Sequence, residues 1–518
     1  MDLLPVLSYT IGIPAAGYFA LAAARLHVGS ARTVAALRRA GTQPPPPASG
    51  TPPVRFAVLM PMLREDRVVD RACAHLAGAI RAGVPLEVVI AVSEREEHER
   101  SRAVEALRRA AGQRRSEGLD EALTRAVRPE AHPRVRAALA TGDEAALGRI
   151  LAAEPRPTTA EAAAEVADRL NAELGRTAFR LVTAPASAGG KVGQLNAALR
   201  AWSDRRGADR STVYVGVYDA DSQPDLAVFD RMSGQVAVRG AQGAAAPEIF
   251  QQVSCYCRNL GDMRGLRAAL ALPDALAQTR WALGFEYELY RRYSARARRG
   301  TLRPLAYCIG HGCFVSADFL ERIGGFPTLS PNDDLALGYQ ASLLGAEIAP
   351  VPALDYCDVA PDSLSTIRQS RFWFHGSARF DTDLRAFRAE LGVRPGRLQW
   401  WALLAAGHGR NLAWAWRAAL WTVAALLAAV AGQPALLAVL LALHLWYVQG
   451  GYLQTLRQLR RLPGGADRSG VGRLPLRLLA AGAVAASAAF VIRSLGPLTG
   501  SLQLLARRRP TRPWKVER

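Results

Sequence analysis

Acidic residues are in short supply: 45 Asp and Glu stand against 65 Lys and Arg, a formal net charge of +20. That imbalance points to an anionic partner, which could be nucleic acid, anionic lipid or a phosphorylated substrate. Aromatic residues are also sparse at 7%, and no basic run is interleaved with them as a base-stacking platform requires. The six cysteines (Cys73, Cys255, Cys257, Cys308, Cys313 and Cys357) form no paired CxxC metal pattern. A chain of 518 residues has a core large enough to dispense with a disulfide framework. Cys255 and Cys257 therefore read as thiols of a reducing cytoplasm. No positive charge precedes the first apolar run, only Asp2, which excludes a cleaved signal peptide.

What the chain does have is apolar length at both ends. Residues 3–24, LLPVLSYTIGIPAAGYFALAAA, carry no charge and reach the length of a hydrocarbon core. Arg25, Arg32, Arg38 and Arg39 come next, so the positive-inside rule places the N-terminus outside and the rest in the cytoplasm. Two further runs, 412–432 and 434–453, are separated only by Gln433 and read as a helical hairpin with Pro434 at its turn. A last run, 474–492, reads as a fourth span. Gly496-Pro497 interrupts the weaker apolar segment beyond it, with a re-entrant or interfacial ending in view. Much of the basic charge flanks these spans, so membrane lipid accounts for it and nucleic acid is excluded as a partner.

Between the anchors the expected order is a Pro-rich linker (27–53), a cytoplasmic domain (54–382), interfacial helices (383–411), a membrane region (412–506) and a basic tail (507–518). The domain opens with apolar strands at 54–63 and 86–93, separated by a helix at 67–82. Residues 95–175, rich in Ala, Arg and Glu, read as a helical insertion with a flexible middle around EPRPTT. A strand at 179–185, a helix at 191–202 and a strand at 212–221 complete this part. Apolar strands alternating with helices describe a mostly parallel sheet covered on both faces.

Ligands of such a sheet bind beyond the carboxyl ends of its strands. TVYVGVYDADSQPD ends there with Asp219 and Asp221. On a strand, residues i and i+2 share a face, so both carboxylates point into one site and a divalent cation relieves their repulsion. Mg2+ or Mn2+ suits one or two carboxylates plus phosphate oxygens. A plain turn is the competing reading.

At this point the chain resembles the family 2 glycosyltransferases of GT-A fold, on six segments in order: LMPMLRED, SAGGKVGQLNAAL, YDADS, GHGCFVSADFLERIGGFP, NDDLALGYQASLLG and RQSRFW. The resemblance covers about residues 54–380. It implies an α/β, Rossmann-like GT-A fold with a mixed, mostly parallel sheet, flanked by about four transmembrane helices. It also implies an inverting transfer of a hexose-type sugar from a nucleotide-sugar to a glycan or lipid acceptor, with Mg2+ or Mn2+. By that resemblance Asp221 is the direct metal ligand, Asp219 faces the ribose or the metal shell, and Lys191 meets the nucleotide or its phosphates. Asp334 is the general base, held in the first turn of a helix that Asn332 or Asp333 caps. Arg371 clamps phosphate and Trp373 stacks on sugar or packs at the membrane, with Gln369 on the same motif. The motif's register is ambiguous, since Arg368, Gln369, Phe372 and Trp373 compete for its outer positions. His311 lies in the acceptor segment. Two departures stand out: SEREE (93–97) replaces an acidic turn that reads base and ribose, and LRED replaces the usual first-strand ending, leaving Glu65 to meet the nucleotide.

Three functions compete. The first is a membrane glycosyltransferase building a surface glycan or glycolipid, like polysaccharide or chitooligosaccharide synthases of the cell envelope. The second is a polyprenyl-phosphate glycosyltransferase, and the third a non-catalytic nucleotide-sugar sensor or scaffold. The intact set Asp219, Asp221, Asp334 and Arg371 disfavours the third, and RQSRFW favours a glycan hydroxyl over a lipid phosphate.

Overall fold

The computed structural model describes residues 3–42, 54–113, 118–206, 213–330, 332–462 and 465–506. Eight strands form a mixed sheet: β1 (Arg55–Pro61), β2 (Leu86–Ser93), β3 (Phe179–Ala184), β4 (Val213–Val217), β5 (Gln223–Pro224), β6 (Ile249–Cys255), β7 (Cys313–Ser316) and β8 (Ile348–Tyr356). The chain divides into a smaller compact unit, essentially 55–210 with 217–220, and a larger one built from 1–54, 211–216 and 221–516.

In the smaller unit β1, β2 and β3 pair in parallel, with Val58 opposite Val88 and Val88 opposite Phe179. Their continuous apolar runs suit strands buried on both faces, and every residue of β1 except Arg55 is buried. The helix Lys191–Arg206 packs on all three. The described residues of 95–174 fold as five α-helices and a short 3-10 turn, and the first four α-helices share a core that includes Leu107, Leu123, Val135 and Leu147. The EPRPTT stretch, expected to be flexible, is tied down. Arg128 N donates to Glu154 O at 3.2 Å, Arg156 N donates to Ala126 O at 3.0 Å, and Thr158 with Glu161 forms a complete capping box on Thr159–Leu174.

In the larger unit β8 pairs in parallel with β6 and antiparallel with β5, while β7 runs antiparallel to β6. Gly216 of β4 leaves room for the Phe314 ring of β7, which a Cβ there would strike. A helical run from Gly265 to Arg298 contains a π-turn at Ala282–Glu286.

Among the described residues four helices are long and apolar enough to cross a membrane: Leu3–Thr42, Arg397–Val430, Pro434–Arg461 and Leu476–Leu505. Three expectations change here. The first helix runs on to Thr42, so residues 27–42 are helix rather than linker, and 43–53 lie outside the described residues. The region 383–411 holds the end of a helix over Phe380–Glu390 and then the start of the span itself, continuous from Arg397. Gly496-Pro497 does not interrupt the last helix. A proline lacks the N–H that would bond the carbonyl four residues back, here that of Arg493. That carbonyl lies 3.4 Å from Ser370 Oγ, whose single proton has a nearer acceptor in Thr366 O at 2.7 Å.

Candidate functional site

The smaller unit brings Lys191 and Asp219 together. Strand β4 stops at Val217, Tyr218 N still donates to Leu59 O at 3.2 Å, and the chain then turns. Asp219 and Asp221 therefore sit in a turn rather than on the strand, and the shared-face argument does not apply to them. Lys191 Nζ, at the start of its helix, lies 2.7 Å from Asp219 Oδ1, with the carboxylate 37% exposed. The Ala188 backbone crowds Gly193, where a Cβ could not fit, so the AGG turn folds tightly onto the helix start. Gln194 of the same helix donates to Met62 O at 2.8 Å, fastening it to the end of β1.

Glu65 is buried, and its backbone N–H donates to Thr159 Oγ1 at 2.8 Å. The preceding Arg64 adopts a left-handed φ of 59°, a conformation that costs energy in a non-glycine residue. Its surroundings enforce it: Arg64 N donates to Glu96 Oε2 at 3.1 Å, and the guanidinium reaches Glu99 at 2.6 Å. Burial would raise the Glu99 carboxyl, but hydrogen bonds from the Arg64 and Arg95 guanidiniums hold it below its usual range. Glu96 also accepts from Thr159 N at 3.0 Å, and Glu94 accepts from Ala186 N at 3.2 Å. SEREE thus pins the first-strand turn to the insertion and to the loop ahead of Lys191. Sequence reasoning saw only the absence of an acidic base-reading turn there.

The larger unit holds the rest. Asp221 is 4% exposed, and its Oδ2 accepts from Asp358 N at 3.2 Å. Asp358 pairs with Arg258 at 2.6 Å. The helix Asp333–Leu344 starts where expected, but Asn332 occupies the N-cap position without a side-chain capping bond. The side chain of Asn332 packs instead where Gly376 lacks a Cβ. Asp334 stands half-buried in the first turn, with Oδ1 accepting from Leu335 N at 2.8 Å and its carbonyl accepting from Cys308 N at 3.3 Å. That contact, and Gly338 packed on the Tyr307 backbone, hold the loop before His311 against the helix of the proposed base. His311 itself is turned inward, its Nδ1 2.7 Å from Asp355 Oδ2.

Gln369, Arg371 and Trp373 are half-buried on the helix Ser363–Ala378. Asp362 caps it, accepting from Ser365 N at 2.8 Å, a bond that holds the Asp362 carboxyl below its usual range. This helix packs on the last apolar helix through Gly496 and Gly500. His375, on the same helix, is bonded to Gln503 at 3.1 Å and burial lowers its pKa, a structural role.

One group escaped sequence reasoning altogether. Glu286 closes the π-turn and is fully enclosed, which pushes its carboxyl up to about 7 against the hydrogen bond donated by Tyr307 Oη at 2.8 Å. His311, Arg493 and Arg410 also pull it down. Trp281 Nε1 donates to the same Tyr307 oxygen at 3.1 Å. The π-turn, which moves Glu286 off the regular helical face, has no sequence signature, although such turns cluster at functional sites.

Two carboxylates one residue apart offer the hard oxygen donors that Mg2+ or Mn2+ takes, and the ammonium already drawn to Asp219 shows that this turn attracts positive charge. Residues 134–375 match the family model described as glycosyltransferase like family 2. That span contains every site residue discussed above from Lys191 onward and leaves out Glu65. The match supports glycosyl transfer as the general activity. Among solved structures, the mannosyltransferase PcManGT from Pyrobaculum calidifontis, in complex with GDP-Man and Mn2+, is similar at 16% identity. The similarity covers 91% of this chain and 99% of that one, with a TM-score of 0.39. No curated protein matches the sequence.

Proposed function

We propose that this protein is an inverting glycosyltransferase that moves a hexose-type sugar from a nucleotide-sugar to a glycan or glycolipid hydroxyl at a membrane. The observation that carries the reading is the Lys191–Asp219 pair at 2.7 Å, placed in the turn that follows β4 and continues to the buried Asp221. Charge develops on the departing diphosphate in such a reaction, and cationic groups aimed at it lower the barrier. Lys191 is the cation this chain supplies there, and donor binding releases it from Asp219 to the phosphates. Asp221 and Asp219 would hold the Mg2+ or Mn2+, which when bound supplies Lewis-acid stabilisation of the diphosphate. Glu65 meets the nucleotide.

Asp334 accepts the proton of the attacking hydroxyl, with Asp333 beside it orienting the acceptor. Arg371 meets donor phosphate, Gln369 and Trp373 line the sugar, and His311 shapes the acceptor loop. The four apolar helices anchor the enzyme in the inner membrane, with the catalytic domain in the cytoplasm, where nucleotide-sugars are made.

The test is Asp221→Ala. Metal-dependent nucleotide binding should be abolished while the thermal unfolding profile is kept; unchanged binding and turnover would remove the metal from the account.

A further inference from the structure

Asp355 and Cys357, unused by that reading, converge in the larger unit with His311 of the acceptor loop. His311 Nδ1 is 2.7 Å from Asp355 Oδ2 and 3.3 Å from Cys357 Sγ. The three ligand atoms all lie within 4.8 Å of one another, and all three residues are buried. Asp355 is 0% exposed, and its second oxygen, Oδ1, is buried with no hydrogen-bond partner, an arrangement that costs free energy unless something else satisfies it. Ser222 Oγ stands 3.2 Å from Asp355 Oδ2 and 4.0 Å from Cys357 Sγ, on the fourth side.

We propose that His311, Asp355 and Cys357 bind Zn2+, at a site separate from the hard-cation turn at Asp219 and Asp221. The donor set is the reason. A thiolate and an imidazole select a borderline-soft ion, whereas carboxylate and phosphate oxygens select Mg2+ or Mn2+. The charge also balances: one thiolate and one carboxylate cancel Zn2+ with His311 neutral, so a buried site acquires no net charge. In tetrahedral zinc sites the N···O and N···S separations are roughly 3.3 and 3.5 Å, from bond lengths of about 2.0–2.3 Å. The observed separations are shorter, by about 0.6 Å for N···O and about 0.2 Å for N···S, as expected of the same donors closed on one another by hydrogen bonds.

Binding is an exchange. Zn2+ forms bonds to Nδ1, a carboxylate oxygen of Asp355 and Sγ; the Cys357 thiol proton and any proton shared between His311 and Asp355 leave to solvent. Water or the Ser222 hydroxyl completes the tetrahedron. The ion would tie the acceptor loop to β8 and to the residue after Asp221, bracing the site without touching the reacting atoms.

The test uses the full-length chain, without a histidine tag, in detergent. Elemental analysis should find stoichiometric zinc that survives excess Mn2+. Replacing it with Co2+ should give the near-ultraviolet thiolate-to-cobalt charge-transfer absorption. Cys357→Ser and His311→Asn should each lower metal affinity by at least about 100-fold, while Asp221→Ala should leave both zinc and the cobalt spectrum intact. No stoichiometric zinc and no charge-transfer band in the wild-type chain would overturn the proposal, as would a band that persists in Cys357→Ser. Nucleotide-sugar binding measured on the same samples reports separately on the transfer reading, so either can fail alone.

Discussion

Glu286→Gln separates the protonation state of the buried π-turn from its shape. The amide keeps the size of the side chain and an oxygen to accept from Tyr307, but it cannot ionise. Enclosure raises the carboxyl from 4.5 to about 7, so the folded chain holds a proton that the unfolded chain releases near pH 4.5. Stability is therefore highest below the unfolded value and falls as pH rises toward about 7, above which the loss is constant. A gap of about 2.5 units at 1.36 kcal/mol each sets the full loss at about 3 kcal/mol. Most of it falls between pH 5 and 8, and the glutamine variant should escape it. The assay is thermal unfolding in detergent across that range, comparing the two chains at each pH. The variant should gain several degrees on the wild type as pH rises, and Tyr307→Phe should move the wild-type decline to higher pH because the bond it removes lowers the Glu286 pKa. A wild-type–variant gap that stays flat from pH 5 to 8, or that closes with rising pH, would refute the reasoning.

Packing and orientation set two further outcomes. Gly496→Ala places a methyl on Ser370 Oγ, Ile367 O and Arg371 N, an overpacking worth about 1–3 kcal/mol that should also depress turnover by shifting Arg371. Gly148→Ala, inside the helix Glu144–Ala153 with nothing within 4 Å, is the unstrained control: it should leave activity unchanged and stabilise the chain by up to about 1 kcal/mol. Cysteines introduced at exposed positions in 95–175 should label only from the cytoplasmic side in sealed vesicles, and labelling from outside would reverse the proposed orientation.

The strands were legible because their burial is continuous. Residues 86–93 form β2 as expected, since a fully buried parallel strand needs an unbroken apolar run. The end of β4 was less legible, because Tyr218-Asp219-Ala220-Asp221 keeps the alternation while the chain has already turned. The last helix was misjudged at Pro497 because what it packs on there, Ser370 and Ile367 against Gly496, lies far away in sequence. Lys191 and Asp219 were legible as separate candidates, and their ion pair is a tertiary fact. Asp355 and Cys357 were the discoverable omission: LDYCD alternates a carboxylate and a thiol at the end of a strand, the same signal that drew attention to YDADS. Glu286 left no such trace, since its significance comes from a helical irregularity and from burial.

The central claim is sugar transfer with Asp334 as the base, and it is tested most directly by comparing Asp334→Asn with the wild type in membranes. Both are incubated with a panel of nucleotide-sugars and Mn2+, and the released nucleotide and product mass are measured. The account predicts that one donor is turned over by the wild type, that nucleotide affinity in the variant stays within a few-fold, and that its turnover falls by roughly 10²–10⁴. Turnover near the wild-type rate in Asp334→Asn, or a loss confined to KM, would contradict it.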